Sequence, residues 1–155
     1  MGVFATIMTE QAAGAQETGI VMIDATHARA HRTASSLADA KGRPIRMFLS
    51  AGQTSGYIGA RALLSSIPSA GALLADRGLD AGWSRNALIG TGISPCIPPR
   101  TGRKTSIPHD TGLYRLRHRI ENMFARLKDW CCIETRYDRC PILSLSACAL
   151  AANVI

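Results

Sequence analysis

Acidic side chains are scarce in this chain. Its 155 residues hold 11 Asp and Glu against 18 Lys and Arg, a formal net charge of +7 and an isoelectric point near 9.6. That balance favours a polyanionic partner. Other absences narrow the field. The five cysteines form no C-x-x-C pair and have no His at zinc spacing, so they read as buried thiols of a reducing cytosol, not as a zinc module. No H-E-x-x-H is present; His27 and His31, at i and i+4, read as solvated or phosphate-contacting. Met1–Glu10 has neither a basic n-region nor a long apolar run, so no signal peptide is expected. The apolar tail Pro141–Ile155 is too short to span a bilayer and reads as a core helix. No 20–50-residue period and no low-complexity tract appears, which excludes a repeat array.

What is present suffices for one domain with a real core: 46% of residues are hydrophobic. Residues 1–13 suit a short helix, followed by a loop. Gly19–Ile23 is an apolar, β-branched run ending in Asp24. Pro44–Ser50 reads as a second strand, Tyr57–Ser66 as a helix, Ala72–Ala75 as a strand ending in Asp76, and Ile93–Ile97 as another. Ala38–Gly42 reads as a polar turn. Asp80 stands where it would cap a helix over Ala81–Ile89. The alternation of strands and helices is that of an α/β domain. An Asp that ends a strand commonly caps a turn; the same pattern at both Asp24 and Asp76 makes each a candidate metal ligand as well.

The longest helical pattern is LYRLRHRIENMFARLK, Leu113 to Lys128. At about 100° per residue, Leu113, Leu116, Ile120, Phe124 and Leu127 form a core stripe. Tyr114, Arg117, Glu121 and Lys128 share a second arc of roughly 60°, beside Arg115, His118, Arg119 and Arg126. One carboxylate in so basic a strip has two uses. It is a partner for Arg117 at i−4, or a metal ligand facing a polyanion. Upstream, Arg100–His109 is a basic loop suited either to solvent or to a phosphate backbone.

The spacing Tyr114-x-x-Arg117-x-x-x-Glu121, with Lys128 beyond, resembles the Y-R-E-K signature of bacterial insertion-sequence transposases of the DDE class. The blocks IDATHARAHRTASSL, GRPIRMFLSAGQ, LLADRGLDAGW, HRIENMFARLKDW and TRYDRCP are similar to one subgroup of that family over nearly the whole chain. The resemblance implies a ribonuclease-H-like mixed sheet flanked by helices, with residues 1–18 a remnant of a preceding region and 19–155 the catalytic domain. It implies metal-dependent cleavage and strand transfer at element ends. Asp24, Asp76 and Glu121 would be the DDE triad, holding Mg²⁺ or Mn²⁺. Tyr114, Arg117 and Lys128 would contact DNA, joined by Arg100, Arg103, Lys104, Arg115 and Arg119 in the basic strip. DNA would be the partner, with self-association on it, no membrane, and a bacterial cytoplasmic, nucleoid-associated location.

Four departures accompany the resemblance. Family members carry a longer segment between the parts matching HRTASSL and GRPIRMF, so one core strand is expected to be missing and the sheet incomplete. Leu79 stands where an aromatic is usual. The N-terminal DNA-binding region is absent, and the chain stops soon after the family's apolar C-terminal stretch begins. A decayed, inactive copy is the resulting expectation. A non-catalytic DNA-binding inhibitor of an intact element, or a plain nuclease, would share the same basic face.

Overall fold

A computed structural model describes residues 19–28, 32–51, 56–129, 146–147 and 150–151. The expected helix over residues 1–13, His31, and most of the stretch from Trp130 to Ile155 lie outside the described residues. Five strands form one mixed sheet: β1 (Ile20–Ala28), β2 (Arg32–Asp39), β3 (Pro44–Ala51), β4 (Ala72–Leu74) and β5 (Ser94–Cys96). Their spatial order is β3-β2-β1-β4-β5. β1, β2 and β3 pair antiparallel, while β4 and β5 extend the sheet parallel to β1. Pro95 is tolerated because β5 is an edge strand. The helices are α1 (Gly56–Leu64), α2 (Gly82–Gly90), α3 (Thr111–Tyr114) and α4 (His118–Asp129).

This topology corrects the expectation of a missing core strand. β1 and β3 do not lack a neighbour, because Arg32–Asp39 lies between them along its whole length. The turn expected over Ala38–Gly42 shrinks accordingly, since Ala38 and Asp39 still belong to β2.

Alternation along the strands divides the core into two layers. Val21, Ile23, Leu37, Ile45 and Leu73 pack with Leu63 of α1 and Leu88 of α2. Met22, Ala34, Ala38 and Leu74 face the other way, onto Ile120, Met123, Phe124 and Leu127 of α4. Each fully buried large apolar side chain contributes roughly 1.5–3 kcal/mol, so the stripe on α4 fixes that helix to the sheet. β2 is buried throughout Thr33–Ala40. α1 reaches it through Gly59, where a Cβ would collide with the Ser35 hydroxyl.

The last helical region is not one continuous α-helix. Asp110 caps α3 by accepting from the Leu113 amide at 2.9 Å. Arg115–Arg117 then forms a 3₁₀ turn before α4 begins. Side chains three apart eclipse in such a turn, which brings Tyr114 directly over Arg117. Among the described residues no helix is long and apolar enough to cross a membrane.

Candidate active site

The parallel ladder between β1 and β4 ends at Met22 and Leu74. Asp24 and Asp76 each come two residues later, so they stand level and, by strand alternation, on the layer that faces α4. β1 itself continues to Ala28. Asp24 is therefore inside a strand, where a strand end was expected, and only the parallel pairing stops before it. Asp76 begins the 3₁₀ turn Arg77–Leu79, makes no side-chain cap bond there, and is exposed.

Arg117 joins the carboxylates. Its Nη2 lies 2.9 Å from Oδ2 of Asp24, both side chains being about 15% exposed (15% and 14%). Its Nη1 donates to Oε1 of Glu121 on the next turn. The other Asp24 oxygen accepts from the Ala25 amide at 2.8 Å. Burial raises the Asp24 pKa above the usual carboxylate value, against the opposing pull of Arg117 and the Ala25 N–H, and the charge of Asp76 adds to the rise. Burial alone would lower the Arg117 pKa, but Asp24, Tyr114, Glu121 and Asp76 together raise it. Three carboxylates from three elements thus act on one guanidinium. The Nε–H of Arg117 is buried without a hydrogen-bond partner.

Of the two uses open to Glu121, this geometry realises the ion pair with Arg117. Among the described residues no three His, Cys, Asp or Glu groups are gathered as they would be round an ion, because Arg117 stands between Asp24 and Glu121. The donor chemistry nevertheless fits a hard divalent cation: oxygen-only ligands on a strand, a strand end and a helix.

The other sequence-chosen residues are placed in different ways. Tyr114 belongs to the site; its ring packs edge-on against His109, centroids 5.5 Å apart. Lys128 shares the flank of Arg117 but lies about 16 Å further along the helix at 1.5 Å per residue. Arg115 and Lys104 are exposed. Arg119 donates through Nη1 to the Ala40 carbonyl and so ties α4 to the β2–β3 turn.

Arg100 and Arg103 are held from within. Asp80 does not cap α2, whose N-cap position is Ala81. Its buried carboxylate accepts from Arg85 Nε at 2.7 Å, Arg103 Nη1 at 3.0 Å and the Arg100 amide at 2.7 Å. Arg100 also donates to the Gly78 carbonyl. These bonds lower the Asp80 pKa despite its burial. They fasten the basic loop against the turn that follows Asp76. Sequence reasoning missed this role, because the partners lie five and more than twenty residues away.

No protein-family model and no curated protein matches the chain. Solved structures do match. One is a chain of the simian T-cell lymphotropic virus intasome in complex with PP2A regulatory subunit B56 gamma, with a TM-score of 0.54 and 13% identity over 89% of this chain. The match takes in 48% of the viral chain, so the protein spans about half its length. Another is the catalytic core domain of BIV integrase, with a TM-score of 0.52 and 13% identity, covering 87% of this chain and 81% of that one. The chain has the fold of a retroviral integrase catalytic core: a ribonuclease-H-like mixed five-stranded sheet flanked by helices.

Proposed function

We propose that this chain is the catalytic core of a DDE-class DNA transposase of the insertion-sequence type. On this reading Asp24, Asp76 and Glu121 bind Mg²⁺ or Mn²⁺, and DNA is the substrate. The observation that carries it is the pairing of Asp24 and Glu121 with Arg117 at the end of the parallel ladder, where Asp76 stands level with Asp24. The integrase-core fold supports it at the coarser level of a polynucleotidyl transferase.

The chain's own residues supply position and charge. Asp24 and Asp76 are aimed by the sheet, and Glu121 by a helix whose apolar stripe is buried against it. Divalent cations, when bound, neutralise charge on attacking and leaving oxygens. Arg117 has a free Nε–H and a charge stabilised by its carboxylate neighbours, which suits a phosphate oxygen. Tyr114, eclipsed with Arg117, offers a ring for a nucleotide base at the cleaved end. Lys128 would meet the backbone some 16 Å further on. Self-association on DNA, and a cytoplasmic, nucleoid-associated location, belong to the same proposal.

A non-catalytic DNA-binding role, inhibiting an intact element, is the second reading. It is favoured by the position of Arg117 between two of the three carboxylates. The expectation of inactivity that rested on a lost strand has no basis in this sheet. The test is nicking of element-end duplex against random duplex, with and without Mg²⁺ or Mn²⁺. Metal-dependent nicking confined to element ends supports the transposase; metal-dependent nicking of both identifies a plain nuclease. DNA binding with no nicking under any metal identifies the inhibitor.

A further inference from the structure

α4 has a second polar flank. Counting about 100° per residue from Arg117, Glu121 and Lys128 lie within roughly 40°, whereas Arg119 and Arg126 lie near 180–200°. The buried stripe runs between the two flanks. On the far side, Arg119, Asn122 and Arg126 line a cavity of about 190 Å³ with Lys41 and Arg43 of the β2–β3 turn. The turn is built to present those two cations. Buried Asp39 accepts from the Lys41 amide at 2.9 Å and the Arg43 amide at 2.8 Å, and pairs with the Arg43 guanidinium. Gly42 takes φ +85°, and a Cβ there would meet the Arg119 carbonyl oxygen at 2.9 Å, so only glycine lets the turn sit this close to α4.

Four cations therefore line one cavity, and Asp39, the carboxylate of the same turn, is already engaged by the Lys41 and Arg43 amides and the Arg43 guanidinium. Arg43 and Arg119 spend part of their donors on Asp39 and Ala40. Lys41 and Arg126 have no hydrogen-bond or ion-pair partner for their side chains among the described residues. An anion in the cavity would give both side chains a charge-assisted partner.

We infer that this cavity is a phosphate-binding site that takes a backbone phosphate of duplex DNA, away from the carboxylates. The inference rests on DNA being the partner, as in the proposed function. The geometry suits a duplex. A helix with its side chains is about 10–12 Å across, and each strand of a duplex carries a phosphate for every roughly 3.4 Å of helix axis, so one duplex laid over α4 presents phosphates to both flanks. A strand engaged beside Arg117 and laid over the solvent face of α4, past exposed Arg115 and His118, reaches the cavity within that distance.

The experiment measures affinity for a random-sequence duplex by fluorescence anisotropy in EDTA across a salt series. It compares the full chain with Lys41→Gln/Arg126→Gln. Those two side chains are exposed and unpartnered, so the variant should keep the wild-type melting temperature, which is checked. Each phosphate contact adds about 0.9 to the slope of log affinity against log salt, and the cavity holds one phosphate, so the variant should lose about 0.9. Asp24→Asn/Glu121→Gln should leave that slope intact or steepen it. An unchanged slope and affinity in the cavity variant would overturn the inference, as would binding of phosphatidylserine vesicles in place of duplex. The nicking assay separates this from the function itself. Element-end nicking that persists with an unchanged slope sinks the cavity and keeps the transposase. A cavity-dependent slope without nicking keeps the cavity and sinks catalysis.

Discussion

The two flanks of α4 are built from the same side-chain types and end in opposite charge. On one flank Asp24 and Glu121 pair with Arg117 and the charge of Asp76 adds to theirs, the pairs are half-desolvated, and the local excess is negative. On the other, Lys41, Arg43, Arg119 and Arg126 face a cavity with only Asp39 in support, and the excess is positive. A uniformly basic helix would bind DNA indifferently all round. On the proposed function, one flank of this helix takes cations and the other, across its width, takes phosphates. The net charge of the chain conceals that division.

The largest expected effect lies next to the carboxylate flank. Asp80→Ala leaves the buried Arg85 without its partner and should cost about 3–5 kcal/mol in urea unfolding. Arg103 and the Arg100 amide are released with it, so the basic loop should become sensitive to protease. The pH dependence carries a sign. The Asp80 pKa is lowered in the fold. Its contribution is therefore complete above the unfolded carboxylate value near 3.9 and is lost as pH falls through the lower folded value. Asp80→Asn should flatten that acid limb. An acid limb of wild-type steepness would show that the pairs with Arg85 and Arg103 are not formed.

Next in size, Arg117→Met removes the cation paired with Asp24 and Glu121. Breaking a pair this desolvated should cost about 3 kcal/mol. Mg²⁺ or Mn²⁺ should then stabilise the variant more than the wild type, since the same carboxylates are left facing one another. Equal stabilisation of both proteins would break the contrast between the flanks. Smallest is Gly42→Ala on the phosphate flank, at about 1–2 kcal/mol for a left-handed residue with a Cβ. By pushing the turn off α4 it should also lower the salt slope of DNA binding. An unaltered slope would show that the turn need not sit where it does.

The carboxylate flank was largely legible in the sequence. Two apolar runs each ending in Asp, and a helical period that aligns Arg117 with Glu121, are local signals. The cavity was not, because Ala40 and Arg119 are 79 residues apart and nothing in either segment names the other. β2 was missed for a different reason. Ser35 is small where Gly59 of α1 meets it, its neighbours Thr33, Ala34 and Ser36 are small too, and such residues carry no hydrophobic period. Asp80 obeyed a local capping rule on paper, while three longer-range donors claimed its oxygens. The 3₁₀ turn at Arg115–Arg117 left no mark in composition, yet it is what sets Tyr114 over Arg117.

Divalent-cation binding tests the central claim most directly. Calorimetric titration of Mn²⁺ into the full chain should give a saturable site, lost in the Asp24→Ala/Asp76→Ala/Glu121→Ala variant and kept in Lys41→Gln/Arg126→Gln. A wild-type isotherm that shows no such site, or one that survives the triple substitution unchanged, would contradict the assignment of these three carboxylates to a metal.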